Sequence, residues 1–216
     1  MGRERVEFFR ESNSKAKEKI IVLAYEGNHT EAIYFESLKE SIRFNDELIH
    51  LISLRRIASD TTSAPIHVFR KLKREIKDVY DLNNLDELWM IIDRDQWPNI
   101  PEIFNLCQQE GNFHLALSNP CFEFWLLLHI NDLSGFSQAE LQSIYDNAKV
   151  TSKKTYLKRM LGNLLNGYNE SNPKPERFIP HVDLAIARAK ALDNPIEDYP
   201  TKLGSHLYKL VEKIVK

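Results

Sequence analysis

The chain has 216 residues, enough for one large domain or two small ones. Hydrophobic residues make up 43% and charged residues 28%, the proportions of an ordinary soluble globular chain, which excludes a disordered tail protein and a collagen-like chain. Twenty-nine basic residues stand against 31 acidic ones, and the resulting net charge of −2 gives no global pointer to a nucleic-acid partner.

Residues 1–19 are polar and highly charged, with no apolar stretch of the kind a secretory signal needs, and read as a flexible charged arm. The run at 20–24 is apolar at every position, which suits a strand buried on both faces of a parallel sheet. Residues 30–42 carry Ala32, Ile33, Phe35, Leu38 and Ile42 at helical spacing, with Glu31 in the first turn. Strand-like 48–54 is followed by a polar loop at 58–65 and an amphipathic helix at 67–79. A third apolar run, 88–92, ends in Asp93-Arg94-Asp95. Then come a short helix at 100–109, a fourth strand at 113–117, and a buried helix at 122–129 behind Ser118-Asn119-Pro120. Strands alternating with helices predict an α/β domain with a largely parallel sheet of about four strands covered on both sides.

Beyond residue 133 the strand signals fade. Helices are predicted at 138–148, 153–165, 182–192 and 203–215, with a Pro/Asn/Ser-rich loop at 169–175. The organisation expected is an α/β core at 20–130 and a helical extension at 131–216 packed on it. No apolar run approaches the ~18 residues that span a bilayer; the longest, 124–130, is far too short, so no membrane role is expected. Cys107 and Cys121 lack metal-type spacing, and reduced thiols in a cytoplasmic protein are the expectation.

Three carboxylates stand where an open α/β sheet binds its ligands, just past the carboxyl ends of strands. Glu26 follows the first strand, and Asp93 and Asp95 follow the third. An Asp-x-Asp at a strand end can aim both side chains at one hard cation. Mg²⁺ prefers oxygen ligands, few of them from protein, and beside a phosphate such an ion stabilises charge and orients the attacking oxygen. A lone DxD is a weak signal, because strands often end in polar turns; the order Glu, then DxD, on successive core strands is more specific. Glu26 is either a ligand or a general acid/base. Glu123, set among Phe122, Phe124 and Trp125, is a carboxylate too costly to bury unpaired, and it points to a site role.

Three segments resemble the RloB-like family: residues 22–31 (VLAYEGNHTE) with Tyr34-Phe35, residues 90–95 (MIIDRD), and residues 117–129 (LSNPCFEFWLLLH). That family includes a component of AbiL-type abortive-infection systems and is regarded as part of the Toprim superfamily, the catalytic fold of topoisomerases, DnaG-type primases and OLD-family nucleases. The resemblance implies a Toprim-like, Rossmann-like core and assigns Glu26, Asp93 and Asp95 to its Glu and DxD positions. It also draws attention to Glu31, Ser118, Asn119, Glu123 and His129. Glu31 is either a first-turn acid facing the helix dipole or a support for the site. Ser118 and Asn119 would be explained by capping the following helix. His129 lies six residues beyond Glu123, on another face of the helix, and reads better as a packed histidine. No tyrosine has a topoisomerase-type context, and the chain lacks the gate domains that strand passage needs.

Basic residues gather at Arg55-Arg56, at Arg70, Lys71, Lys73 and Arg74, and at Lys149, Lys153, Lys154, Lys158 and Arg159. Solvated helix faces are the ordinary reading of such clusters. Arg55, Arg56 and the 153–159 cluster are selected as substrate-facing, because phosphate backbones are bound through such groups. Trp89 and Trp125 are expected in the core, and Trp97 exposed, free to stack on a base. The expected function is a Mg²⁺- or Mn²⁺-dependent nuclease of an anti-phage system, cutting RNA (tRNA among the candidates) or DNA, with Glu123 supporting a second ion. Family context implies a neighbouring AAA/ABC-type, RloA-like ATPase partner, and a homo-oligomer remains open. The alternatives are a non-catalytic regulatory partner of that ATPase and a nucleotidyl or phosphoryl transferase.

Overall fold

The computed structural model describes residues 19–27, 29–54, 64–79, 82–94, 97–152 and 154–216. Four strands run parallel: β1 (Lys19–Tyr25), β2 (Ile49–Leu54), β3 (Glu87–Asp93) and β4 (Phe113–Asn119). A two-residue strand, β5 (Gly204–Ser205), adds to the edge antiparallel to β4, and the sheet order is β2-β1-β3-β4-β5. β5 is the one strand that the hydropathy pattern does not announce: two residues are too few for any alternation, and the stretch 203–215 reads as helix throughout. The helix proper, α8 (Leu207–Ile214), begins after it.

Alternation within the strands sorts the core into two layers. Ile21, Leu23, Tyr25, Trp89, Ile91 and Ala116 face one side of the sheet. There they meet α1 (Thr30–Lys39), α4 (Phe122–Ile130), α8 and the helices α5 (Gln138–Asp146), α6 (Tyr156–Leu164) and α7 (Val182–Leu192). Ile20, Val22, Ala24, Leu88, Met90, Ile92, Leu115 and Leu117 face the other, against α2 (Pro65–Val79) and α3 (Ile100–Glu110). α4 is buried from Phe122 to His129, as a helix apolar all round must be.

Local chemistry sets the element ends. α1 stops at Lys39, three residues short of the expected end. Ser41 Oγ donates to the Leu38 carbonyl and accepts from the Arg43 amide, closing a turn in competition with further helix, and Ile42 is left 92% exposed. α2 starts at Pro65, two residues earlier than expected; proline suits a first helical position because its missing N–H would have no helical partner there. α5 opens on a capping box between Ser137 and Glu140.

His129 lies at the far end of α4, packed edge-on against Tyr34, Trp125 and Phe178. Its Nδ1 is 2.9 Å from the Trp125 carbonyl and its Nε2 is 3.0 Å from the Tyr34 hydroxyl. Burial pushes its pKa down to about 3. The unfolded histidine takes up a proton below about 6.5 and the folded one does not until about 3, so acid favours the unfolded chain over that window. The stability lost has a ceiling of about 1.4 kcal/mol per pH unit. His129→Gln is expected to lose less stability than wild type between about pH 6 and pH 4, read from urea midpoints; parallel pH profiles would refute the assignment.

Candidate functional site

The strand order reverses between β1, which leads outward to β2, and β3, which leads to β4 and β5. In open α/β sheets the crevice past the carboxyl ends at such a reversal is where ligands bind. Glu26, the first residue after β1, and Asp93, the last of β3, stand at that crevice. The Glu26 amide continues the ladder to the Ile91 carbonyl at 3.0 Å. Its carboxylate accepts from the Asp93 amide at 3.1 Å and from Trp97 Nε1 at 2.9 Å. Asp93 is in phase with Trp89 and Ile91 and so faces α4, where its Oδ1 accepts from the Phe122 amide at 2.8 Å. The N-cap residue of α4, Cys121, makes no side-chain cap bond, so a carboxylate from another strand caps this helix.

Two corrections follow. Ser118 and Asn119 do not cap α4. Ser118 Oγ is 2.8 Å from Ser205 Oγ, and Asn119 Nδ2 donates to the Pro200 carbonyl at 3.2 Å, so both tie β4 to the segment carrying β5. Trp97 is not free to stack on a base: it is partly buried against the α2–α3 core layer and committed to Glu26. The Arg94 guanidinium donates to the Trp97 carbonyl at 3.0 Å, bracing the same turn.

A second pair of acids lies beside the first. Glu31, in the first turn of α1, folds its carboxylate back over Gly27, where any Cβ would collide with it. Burial pushes Glu31 up to about 7, and the charge of Glu123 adds to that rise, while the Glu31 and Gly27 amides and Lys158 oppose it. Glu123, in the first turn of α4, accepts from the Tyr168 hydroxyl at 3.3 Å and has the Lys158 ammonium 3.8 Å away. Lys158 also pairs with Glu170, whose carbonyl accepts from Thr30 Oγ1 at 2.9 Å. Cys121 lies between the pairs: burial, then the charges of Glu123 and Asp93, push its thiol far up, so it stays protonated. Its sulfur accepts from Asn147 Nδ2 at 3.3 Å.

Of the residues singled out from sequence, the structure brings Glu26 to Asp93 and Glu31 to Glu123. His129, about 9 Å farther along α4, is directed into the core and is not part of this group. Lys154 is exposed on the loop before α6, its amide bonded to Thr151 Oγ1. Asp95, Arg55, Arg56 and Lys153 lie outside the described residues. Sequence reasoning missed Trp97 as a partner of Glu26 and Tyr168 and Glu170 as parts of the second pair. Lys158 was visible only as one member of a basic cluster.

Residues 21–214 match the RloB-like protein family, nearly the whole chain. The chain belongs to the RloB-like family. Comparison with curated proteins gives no significant match, and neither does comparison with solved structures. No helix among the described residues is long and apolar enough to cross a membrane.

The donor set suits a hard cation. Among the described residues no three His, Cys, Asp or Glu side chains form a ready-made metal cage. Mg²⁺ seldom asks for one: it is held by one or two carboxylates and completes its octahedron with water and phosphate oxygens. A carboxylate offers about four lone-pair positions, so Glu26 and Asp93 can accept their amide and indole bonds and still coordinate. Asp93 therefore carries a structural duty of its own. Asp93→Ala is expected to cost about 1 kcal/mol through the lost cap, lowering Tm by about 2–4 °C, whereas Asp93→Asn keeps an acceptor and most of the stability. Equal Tm values for both variants would disprove the capping role.

Proposed function

We propose that this RloB-like protein is a metal-dependent nuclease of an abortive-infection, anti-phage system, cleaving phosphodiester bonds in RNA or DNA through a Toprim-type Glu and DxD site. The observation that supports this reading is the 3.1 Å bond from the Asp93 amide to Glu26 at the sheet's topological switch point. It joins two acids from adjacent parallel strands in the crevice where phosphate ligands of α/β proteins bind. Glu26 and Asp93 would hold Mg²⁺ or Mn²⁺, with Asp95 joining them as the family motif implies. The ion, when bound, supplies Lewis-acid stabilisation of the phosphoryl charge and a more acidic water.

The chain's own groups have defined parts in this reading. Trp97 Nε1 orients the Glu26 carboxylate, and the Phe122 amide orients Asp93 at the positive end of α4. Glu31, at about 7, can hold a proton on its carboxyl near neutral pH. Family membership supports an AAA/ABC-type, RloA-like ATPase as partner.

The test is cleavage of tRNA, single-stranded RNA and plasmid DNA with Mg²⁺ or Mn²⁺, alone and with the partner ATPase. Wild type should cut and EDTA should stop it. Asp93→Asn, which keeps the helix cap, should lose at least about 10–100-fold, the range found when even a group supporting a metal ligand is removed. Equal cleavage by wild type and Asp93→Asn would overturn the reading. Extension of labelled nucleotides in place of release of shortened nucleic acid would turn it towards a nucleotidyl transferase.

A further inference from the structure

We propose that the Glu31–Glu123 pair takes the Lys158 ammonium as its cation and is not a site for a second divalent ion. The inference rests on the reading of Glu26 and Asp93 as the metal-holding acids, and it gives the helical extension a direct part in that site.

Both carboxylates are buried: Glu31 is 6% exposed and the Glu123 side chain 8%. Two acids sharing such a position must shed charge or acquire a counter-charge. The structure provides for each in a different way. The Glu31 carboxylate, folded over the Gly27 backbone, is the more deeply enclosed and has backbone amides as its partners. Glu123 is the one that a cation reaches, with Lys158 Nζ at 3.8 Å from Oε1. The Tyr168 hydroxyl adds a neutral donor to the same oxygen at 3.3 Å, and burial and the nearby Glu123 charge keep that phenol protonated.

The ammonium is itself anchored. The backbone of α6 is held by Leu157 and Leu161, both fully buried, which flank Lys158 in the sequence. Glu170 pairs with Lys158 from the solvent side, and Thr30 Oγ1 ties the Glu170 carbonyl to the start of α1, one residue before Glu31. α6 and the loop that follows it to residue 170 thus bring a lysine, a tyrosine and a glutamate onto the acids of the core. A divalent ion bound to Glu31 and Glu123 would have to displace the Lys158 ammonium from Glu123 or sit beside it at the cost of repulsion between cations.

Two measurements on the full chain test this. Mn²⁺ stoichiometry by calorimetry should give one ion per chain, lost in Asp93→Asn and retained in Glu123→Gln. In the absence of metal, Tm values of Lys158→Met, Glu123→Gln and the double variant should be non-additive, the lysine loss costing less once Glu123 is neutral. Two ions in wild type, one of them lost in Glu123→Gln, would overturn the inference and leave the metal reading standing. Additive Tm changes would overturn it as well. Non-additive Tm changes with no Mn²⁺ bound by wild type would support the Lys158 pairing and sink the metal reading instead.

Discussion

Buried carboxylates have to be partnered, because an ionised group cut off from water costs far more than any single contact returns. Four acids converge near the carboxyl ends of β1 and β3, and much of the surrounding architecture supplies their partners. The Glu26 carboxylate is held by the Asp93 amide and the Trp97 indole, and Asp93 by the first amide of α4. Glu123 takes a hydroxyl and an ammonium from the helical region, and Glu31 lies on the Gly27 backbone. β1, β3, α1, α3's leading turn, α4 and α6 are therefore fixed to one another through polar bonds at one point. The apolar layers hold them together everywhere else.

That arrangement explains why the helical region and the α/β core share one apolar layer. Its helices join the same layer as α1, α4 and one face of β1 and β3. β5 extends the sheet, bonded to β4 through the Ser118–Ser205 hydroxyl pair and the His206 amide to the Leu117 carbonyl. A small polar cluster anchors the return: Asp193 accepts from the Tyr208 hydroxyl at 2.6 Å and pairs with His206 at 2.7 Å. Arg188 donates to the Leu128 carbonyl at the end of α4. Lys158 and Tyr168 reach Glu123 from this same helical region.

The strands and helices of the core were legible because their signals are local. Runs apolar at every position, such as 20–24 and 88–92, leave no solvated face and admit only a central parallel strand. The end of α1 was less legible, because Ile42 continues the helical spacing while Ser41 closes the chain on itself. β5 was not legible at all. In the site, Glu26 and Asp93 stood out because each directly follows or ends an apolar run. Trp97, Tyr168 and Glu170 did not, because nothing near them in sequence marks what they touch; their partners are 71, 45 and 140 residues away.

By itself the sequence determined the alternation of strands and helices, the two apolar layers and the positions of acids at strand ends, all consequences of periodicity and of turns that follow buried runs. It also carried the motifs that mark the RloB-like family. Only the tertiary structure decided how the acids are partnered. Ser118 and Asn119 turned out to hold β5, and Asp93 to cap α4. Those outcomes depend on which groups meet across the sheet and the helical layer, and a buried polar atom takes whichever partner the packing brings within bonding distance.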